Sequence, residues 1–256
     1  MNIVAKRIQK EIKGIQEDAS LWDQITIEAD DTLMELKGTI SGPPDTPYSG
    51  GKFAVLISLP EAYPFEAPSV RFETKIWHPN VSSASGYICL DILTSNWSAS
   101  QTILTILLSI QSLMQDPVPD DPQDAVVAKQ MKRTKKKFRD TARYWTHVYA
   151  TPEGTVLPDD LEDYDQKVKS VMASQKIGQD QAVIYCSNRN WIVKQVPVRA
   201  SKRVAAASAA RSLAEDGVVV TPSRPGVNVH ADGKVTNSIQ PEERGQDGMT
   251  EGSDSE

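Results

Sequence analysis

The sequence predicts an α+β domain, and three observations in the first 150 residues lead to that prediction. Apolar residues recur at helical spacing near the start, at Val4, Ile8, Ile12 and Ile15. Apolar and polar residues then alternate between residues 33 and 59, which is the pattern of half-buried strands. Helical patterns follow after residue 100. A helix, antiparallel strands and then further helices make up an α+β arrangement.

The strands are predicted in three places. Alternation covers residues 34–40 and 53–59, and the segment "GPPDTPYSGG" between them concentrates proline and glycine, which indicates a turn. A shorter strand is predicted at residues 70–72, after the proline-containing segment "YPFEAP".

The helices that follow are predicted from apolar pattern and capping residues. The segment "TILTILLSIQSLM", residues 102–114, is apolar on almost every side and is predicted to be buried. A new helix is predicted to begin at Pro122, with Asp121 as its N-cap and Asp124 in its first turn. Helical segments fit residues 125–137 and 138–150, which completes the domain near residue 150.

The chain after residue 150 is predicted to contain three further parts. Residues 151–160, "TPEGTVLPDD", are predicted to be a linker, and residues 161–200 contain two short helical patterns. Residues 201–256 are predicted to be a disordered acidic tail, because the last sixteen residues carry six acids against one Arg. Much of the formal net charge of -6 therefore lies in the tail. The rest is close to neutral, which argues against general nucleic-acid binding.

The two cysteines, Cys89 and Cys186, are far apart in the sequence. They cannot form a disulfide framework or a four-ligand zinc site, so no metal is predicted and a reducing compartment is the simplest interpretation. The N-terminus lacks the apolar region of a signal peptide. No stretch approaches the roughly 20 apolar residues that cross a bilayer. We predict a cytosolic protein without a membrane partner, and a nuclear location is also compatible.

Several motifs occur in order around Cys89. His78-Pro79-Asn80 precede it, "YICLDIL" contains it, and Trp97 and "PDDP" follow. In this order and spacing they resemble the catalytic core of a ubiquitin-conjugating enzyme, over residues 1–150. The segments "KIWHPN", "ICLDIL" and "PDDPQDAVVA" are most similar to the subfamily that has a ubiquitin-associated domain after its core. The resemblance implies the ubiquitin-conjugating (UBC) fold, with an N-terminal helix, a four-stranded antiparallel sheet and C-terminal helices.

The resemblance implies that Cys89 is the nucleophile, which accepts the ubiquitin C-terminus as a thioester. The alternative is a buried, inert cysteine, as free cysteines often are. No base lies beside Cys89 in the sequence, but a thiol at pH 7 is already a few per cent thiolate, which suffices for exchange with an activated thioester. A strong base beside Cys89 could also be harmful, because it would activate water and so discharge the thioester. Cys186 lies in an apolar helical segment and is predicted to be a packing residue.

Asn80 and Asp121 are the implied partners of Cys89. Asn80 matches the family residue whose amide supports the oxyanion when a lysine attacks, and the alternative is that it holds the loop through backbone hydrogen bonds. Asp121 matches the acidic residue that orients or deprotonates the lysine, and the alternative is an N-cap. His78 and Pro79 are implied to be structural residues at the active site.

The family's partner-facing surface maps onto three segments of this sequence. The matching positions are Arg7 and Lys10 on the first helix, Pro64 and Phe65 in one loop, and Ser98 and Ala99 in another. Arg7 and Lys10 match the face that docks the activating enzyme, although a charged helix face is usually only solvated. Ala99 stands where many members have proline, which weakens the match to the usual RING-type ligases.

The implied partners are ubiquitin, the ubiquitin-activating enzyme, ubiquitin ligases, RING-type ligases among them, and substrate proteins. No cofactor is implied, because ATP is used by the upstream activating enzyme. The basic run "KQMKRTKKKFRD" lacks interleaved aromatic residues and is predicted to be a solvated helix face, so no nucleic-acid partner is predicted.

Residues 161–200 resemble a diverged ubiquitin-associated helical domain. Two segments are similar to its first and second helices, but "SQKIG" replaces the loop with which such domains contact ubiquitin. Pro197 falls inside the expected third helix, where proline removes a hydrogen bond. Both departures weaken the case for ubiquitin binding by this segment.

Four functions are compatible with these residues. The leading one is a ubiquitin-conjugating enzyme that transfers ubiquitin to substrate lysines, and the subfamily resemblance extends this to polyubiquitin chains that mark proteins for the proteasome. The same chemistry with a ubiquitin-like modifier is the main alternative. A non-catalytic adaptor is disfavoured because Cys89 is present. A cysteine hydrolase would pair Cys89 with His147, since His78 belongs to the motif and His230 to the tail.

Overall fold

The computed structural model describes residues 3–193. Within this range the chain forms six α-helices, two short 3-10 helices and one four-stranded antiparallel sheet. No helix among the described residues has the length and apolar character that crossing a membrane requires. The predicted acidic tail and Pro197 lie outside the described residues.

Helix α1, Ile3–Glu17, forms where the helical spacing predicted it. Ile8, Ile12 and Ile15 are buried, while Val4 is half-buried. The apolar side packs against the strand Ile25–Ala29 and against the helix Ile103–Gln115, so that the charged side faces solvent.

The sheet has the order β1-β2-β3-β4, and every neighbouring pair is antiparallel. The strands are β1 Ile25–Ala29, β2 Glu35–Ser41, β3 Lys52–Ser58 and β4 Ser69–Phe72. The four-stranded sheet that the resemblance implied is confirmed. Alternation alone did not predict β1, because only Ile25 and Ile27 are buried in it, and two apolar residues are too short a pattern.

Helix α2, Ile103–Gln115, lies across the sheet. Thr102 and Thr105 form a capping box at its start. The helix approaches β2 at Gly38, where an added Cβ would lie 2.9 Å from the Leu107 side chain. Only one face is buried, and Leu108 on the other face is 39% exposed. The helix was predicted to be buried because it is apolar on almost every side, but the structure buries only one of its faces, since a helix that covers one side of a sheet keeps its outer face exposed.

Helix α3, Ala125–Arg133, begins later than predicted. Its N-cap is Asp124, whose carboxylate accepts hydrogen bonds from the backbone N–H groups of Val126 and Val127 at 3.0 and 3.2 Å. The predicted N-cap role of Asp121 is wrong. Asp124 also bonds to a distant loop, since its N–H donates to the Pro79 carbonyl at 2.8 Å and its carboxylate accepts from the Ser83 hydroxyl at 2.6 Å, which favours a helix start at this residue.

Helix α4, Lys135–Ala150, follows α3 after a break at Thr134, so the boundary lies earlier than predicted. Its sequence includes part of the basic run, but its buried residues include Phe138, Tyr144 and Trp145. In the α4 part of the run Lys135, Lys136 and Arg139 are exposed while Phe138 is buried, so the basic side chains form a solvated face of a helix that packs through its other side.

Helices α5, Glu162–Gln175, and α6, Gln179–Asn188, form in the two segments predicted to be helical. They pack against α4 through Trp191, which follows α6. The Trp191 Nε1–H donates to the Thr141 hydroxyl at 2.8 Å, and the ring contacts Tyr144 and Tyr164 with centroid distances of 5.3 and 4.5 Å. Residues 3–193 thus belong to one compact unit. The division at residues 150 and 160 stays a prediction.

The Trp191 cluster predicts a large loss of stability on truncation. Trp191→Ala is expected to lower the free energy of unfolding by roughly 3–5 kcal/mol, because it removes a buried ring and leaves a cavity. Urea unfolding monitored by circular dichroism measures the change. The neighbouring Ile192 is 77% exposed, so Ile192→Ala is the matched control and should change stability by less than about 0.5 kcal/mol. Equal small changes in both variants would contradict the prediction.

Candidate active site

Cys89 lies half-buried on a loop whose path is fixed by a glycine turn. Gly86 has a φ of +78°, and an added Cβ would lie 2.0 Å from the carbonyl oxygen of Phe72. Isolated bridges join Tyr87 to Arg71 and Ile88 to Val81 on either side of this loop. The turn therefore requires glycine, and the two bridges direct the chain to Cys89 at the protein surface.

Asn80 connects Cys89 to the loop that contains Asp121. Its carbonyl accepts a hydrogen bond from the backbone N–H of Cys89 at 2.9 Å. Its side-chain amide donates to the carbonyls of Val118 and Asp121 at 2.8 and 2.9 Å, and its Oδ1 accepts from the Val118 N–H at 2.8 Å. The side chain is buried, so these bonds replace those that water would make.

The Asn80 amide therefore holds the loop, as one of its two predicted roles requires. An amide nitrogen has two hydrogens, and both point at backbone carbonyls in this structure. Donation to an oxyanion would need one of these bonds to break or to be shared. The oxyanion role stays a prediction, and the positioning role has direct geometric support.

His78 is fully buried and organises the same loop. Its Nδ1 accepts a hydrogen bond from the Asn80 backbone N–H at 3.0 Å, and its Nε2 lies 3.0 Å from the Leu113 carbonyl. These partners fix the neutral tautomer with the proton on Nε2. Burial lowers the pKa of His78 to about 4. Next to it, the Pro79 carbonyl accepts from the Asp124 N–H at 2.8 Å, which ties the loop to the start of α3.

Asp121 is exposed and belongs to the loop that Asn80 holds. Its neighbour Asp120 pairs with Lys132 at 2.8 Å. No ion pair or hydrogen bond to the Asp121 carboxylate occurs within residues 3–193. An unengaged carboxylate on the loop that Asn80 binds can attract an incoming ammonium group.

The comparisons with known proteins agree with this geometry. A family model described as "Ubiquitin-conjugating enzyme" matches residues 7–146. The Homo sapiens protein "Ubiquitin-conjugating enzyme E2 K" is 44% identical over 195 residues, which cover 75% of this chain and 94% of that protein. This chain belongs to the ubiquitin-conjugating enzyme family.

Two further comparisons extend the result. The Drosophila melanogaster "Ubiquitin-conjugating enzyme E2-22 kDa" is 45% identical over 192 residues, 74% of this chain and 94% of that protein. The solved E2 domain of a Toxoplasma gondii ubiquitin conjugating enzyme is 44% identical, covers 57% of this chain and 99% of its own, and gives a TM-score of 0.54. The predicted family, α+β fold and function as a ubiquitin-conjugating transferase with a cysteine thioester mechanism are confirmed.

The second cysteine and the remaining described histidine lie elsewhere in the enzyme. Cys186 is fully buried in α6, and burial raises the pKa of its thiol to about 11. His147 lies in the last turn of α4 and lines a depression with Thr151, Asp165 and Gln179. Cys89 does not line this depression, and no hydrogen bond joins Cys89 to His147 within residues 3–193, so the structure shows no hydrolytic pair of these two residues.

The predicted partner-facing residues of the enzyme lie in segments joined by hydrogen bonds. Arg7 donates to the Gln101 carbonyl at 2.8 Å, which joins α1 to the loop of Ser98 and Ala99. The Trp97 Nε1–H donates to the Pro64 carbonyl at 2.9 Å, which joins that loop to the loop of Phe65. Among the predicted partner-facing residues, the exposed ones are Lys10, Ser98 and Phe65, and Phe65 is 81% exposed.

Glu11 is a connecting residue that the sequence analysis missed. One of its carboxylate oxygens accepts from the Tyr63 hydroxyl at 2.9 Å and from the Ile103 N–H at 2.8 Å, while the other accepts from Arg7 at 2.8 Å. It therefore joins α1, the Phe65 loop and the start of α2. The only available signal was an acid four residues after Arg7, which solvated helix faces also show.

The buried His78 predicts that the enzyme loses stability in acid. The folded-state pKa of about 4 lies below the ordinary value of 6.5, so the unfolded chain binds the proton first. The stabilising contribution is complete above pH 6.5, is lost as the pH falls and levels off below about pH 4. The slope should reach about 1.4 kcal/mol per pH unit, roughly 3 kcal/mol in total.

Urea unfolding of the wild type and of His78→Gln across this pH range measures that contribution. The His78→Gln enzyme should be less stable at pH 7 and should have a flatter profile, while His147→Gln, at a partly exposed position, should keep most of the wild-type slope. Parallel profiles for the wild type and His78→Gln would show that another group causes the acid sensitivity.

Proposed function

We propose that this enzyme carries ubiquitin as a thioester on Cys89 and transfers it to lysine side chains of substrate proteins. The observation that supports this most directly is the position of Asn80. Its backbone carbonyl binds the Cys89 N–H and its side chain binds the loop of Asp121. One residue therefore positions the backbone of Cys89 and the backbone of Asp121, whose side chains supply the thiol and the carboxylate of the proposed site.

Charging of Cys89 is a thiol exchange. The Cys89 thiolate attacks the thioester carbonyl of ubiquitin on the activating enzyme, a new C–S bond forms, and the thiolate of the activating enzyme leaves. One thioester replaces another, so the exchange needs no strong base at the site. His78 cannot serve as one, because it is buried with both ring nitrogens engaged.

Transfer then replaces the C–S bond by an amide. The exposed Asp121 carboxylate attracts the lysine as an ammonium ion and accepts one proton from it, which frees the nitrogen lone pair. The neutral amine then attacks the thioester carbonyl, the Cys89 thiolate leaves, and the nitrogen loses its second proton to water. Polyubiquitin results when the lysine belongs to a second ubiquitin.

We place the activating enzyme at the α1 face that presents Lys10, and a ligase at the exposed Phe65 with the loop of Ser98. An exposed phenylalanine beside a polar loop is typical of a protein-binding surface. We propose a RING-type ligase on the family resemblance of these loops. Arg7 has an internal role as well, because it binds Glu11 and Gln101.

Parallel charging assays test the choice of modifier. Wild-type enzyme, the ubiquitin-activating enzyme, ATP and ubiquitin should give an adduct that a thiol reductant removes. The same assay with each ubiquitin-like modifier and its own activating enzyme should give none. An adduct with a ubiquitin-like modifier alone would replace the proposed function by the alternative.

A further inference from the structure

A groove of about 900 Å³ lies between α3, the start of α4, α5 and the residues that follow α6. It is lined by four cationic side chains and by exposed aliphatic ones. The cations are Lys129, Arg133, Lys137 and Lys167, and the aliphatic residues are Val126 and Ile192. We call this the basic groove, and none of the proposed catalytic residues lines it.

The positive charge of the basic groove is only partly neutralised by the protein. Lys167 pairs with Asp163, and the Lys137 ammonium group lies 4.9 Å from the centre of the Tyr164 ring, whose hydroxyl accepts its hydrogen bond at 3.0 Å. Burial and the nearby Lys167 charge lower the pKa of Lys137. Lys129 and Arg133 form no ion pair within residues 3–193. An anionic ligand would relieve this repulsion.

The other lining residues favour an acidic peptide over a single-stranded nucleic acid. Single-stranded nucleic acids bind by stacking bases on exposed aromatic rings as well as by charge. The aromatic residue of the groove, Trp191, is only 3% exposed and is held in its own cluster. Val126 and Ile192 present aliphatic surface instead, which suits a leucine or valine between acidic residues.

One end of the basic groove lies next to the active-site loop. Ala125 and Val126 line this end, and they follow Asp124 directly. The Asp124 N–H donates to the Pro79 carbonyl at 2.8 Å, and its carboxylate accepts from the Ser83 hydroxyl at 2.6 Å. A chain bound in the groove can therefore continue toward Asn80 and Cys89.

We propose that the basic groove binds an acidic segment of the substrate protein, with an aliphatic side chain among the acids, and so selects lysines near such segments. The inference rests on the proposed function, because docking raises the transfer rate only if Cys89 carries the modifier. The docking itself is independent of catalysis, so binding and transfer can be measured separately.

Fluorescence anisotropy with the full-length enzyme measures docking. The probe is a labelled peptide of alternating acidic residues and leucine with a single lysine, and its partner peptide has Asn and Gln in place of the acids. The acidic peptide should bind, and it should bind about tenfold more weakly to Lys129→Glu/Arg133→Glu. The matched control is Lys135→Glu/Arg139→Glu, which makes the same charge change on α4 outside the groove and should retain wild-type affinity.

Single-turnover discharge of the charged enzyme onto the same peptides measures selection. At low peptide concentration the acidic peptide should be modified about tenfold faster than its amide partner, and Lys129→Glu/Arg133→Glu should abolish this preference. Equal binding of both peptides, equal weakening by the control variant, or tighter binding of a single-stranded oligonucleotide would overturn the inference. Failure to charge with ubiquitin would instead count against the proposed function, while the anisotropy result would still decide the docking.

Discussion

Replacement of Cys89 by alanine is expected to abolish the reductant-sensitive adduct with ubiquitin. No other described thiol can replace it, because Cys186 is fully buried and burial raises its pKa to about 11. A buried thiol with a raised pKa is protonated at neutral pH and is inaccessible to a protein-sized partner. Non-reducing gel electrophoresis of the charging reaction, with and without reductant, measures the adduct.

Two further variants test whether the adduct is formed on Cys89 and whether it is a thioester. Cys186→Ser should charge at the wild-type rate, because Cys186 lies in the packing between α6 and α4. Cys89→Ser should give an adduct that survives reductant, since a serine oxygen forms an ester in place of a thioester. Normal charging of Cys89→Ala would refute the assignment of the nucleophile.

Asn80→Ala is expected to slow discharge onto free lysine by on the order of a hundredfold, the magnitude seen when an active-site amide is removed. It should also lower the free energy of unfolding by roughly 2–4 kcal/mol, because three hydrogen bonds of a buried side chain disappear together. Single-turnover discharge and urea unfolding measure the two effects. Asn96→Ala is the matched control and should leave discharge unchanged, since among the described residues that exposed side-chain amide bonds only to Asp91.

A double-variant cycle separates positioning from direct oxyanion support. If Asn80 acts by holding the loop of Asp121, then Asn80→Ala/Asp121→Ala should discharge no more slowly than Asn80→Ala alone. If Asn80 donates directly to the oxyanion, the two losses should multiply. A multiplicative result would contradict the positioning role that the hydrogen bonds support.

Much of the fold could be predicted because burial leaves a regular pattern in the sequence. Strands β2 and β3 have seven residues each, and alternation over that length is unambiguous. Strand β1 has five residues and pairs on one side only, so its pattern was too short to detect. The start of α3 was misplaced because Asp121 and Asp124 are equally good N-caps in isolation. What decides between them is the contact of Asp124 with Pro79 and Ser83, about 40 residues away in the chain.

In the candidate site, too, contacts between residues distant in the sequence could not be predicted for single side chains. The motif around Cys89 predicted a set of site residues, but it could not show where the Asn80 amide points. Its partners are backbone groups of Val118 and Asp121, and backbone acceptors leave no signature in the sequence. Glu11 was missed for the same reason, since two of its three partners become neighbours only after folding.

The packing of Trp191 against α4 has a consequence for proteolysis. Residues 151–160 are largely exposed and irregular, so within residues 3–193 a protease should cut there first. The contacts of Trp191 with Thr141 and Tyr144, and of Trp145 with Ser187, do not depend on the connecting peptide. A single cut would therefore leave a split enzyme, whose two fragments stay associated without a covalent bond between them.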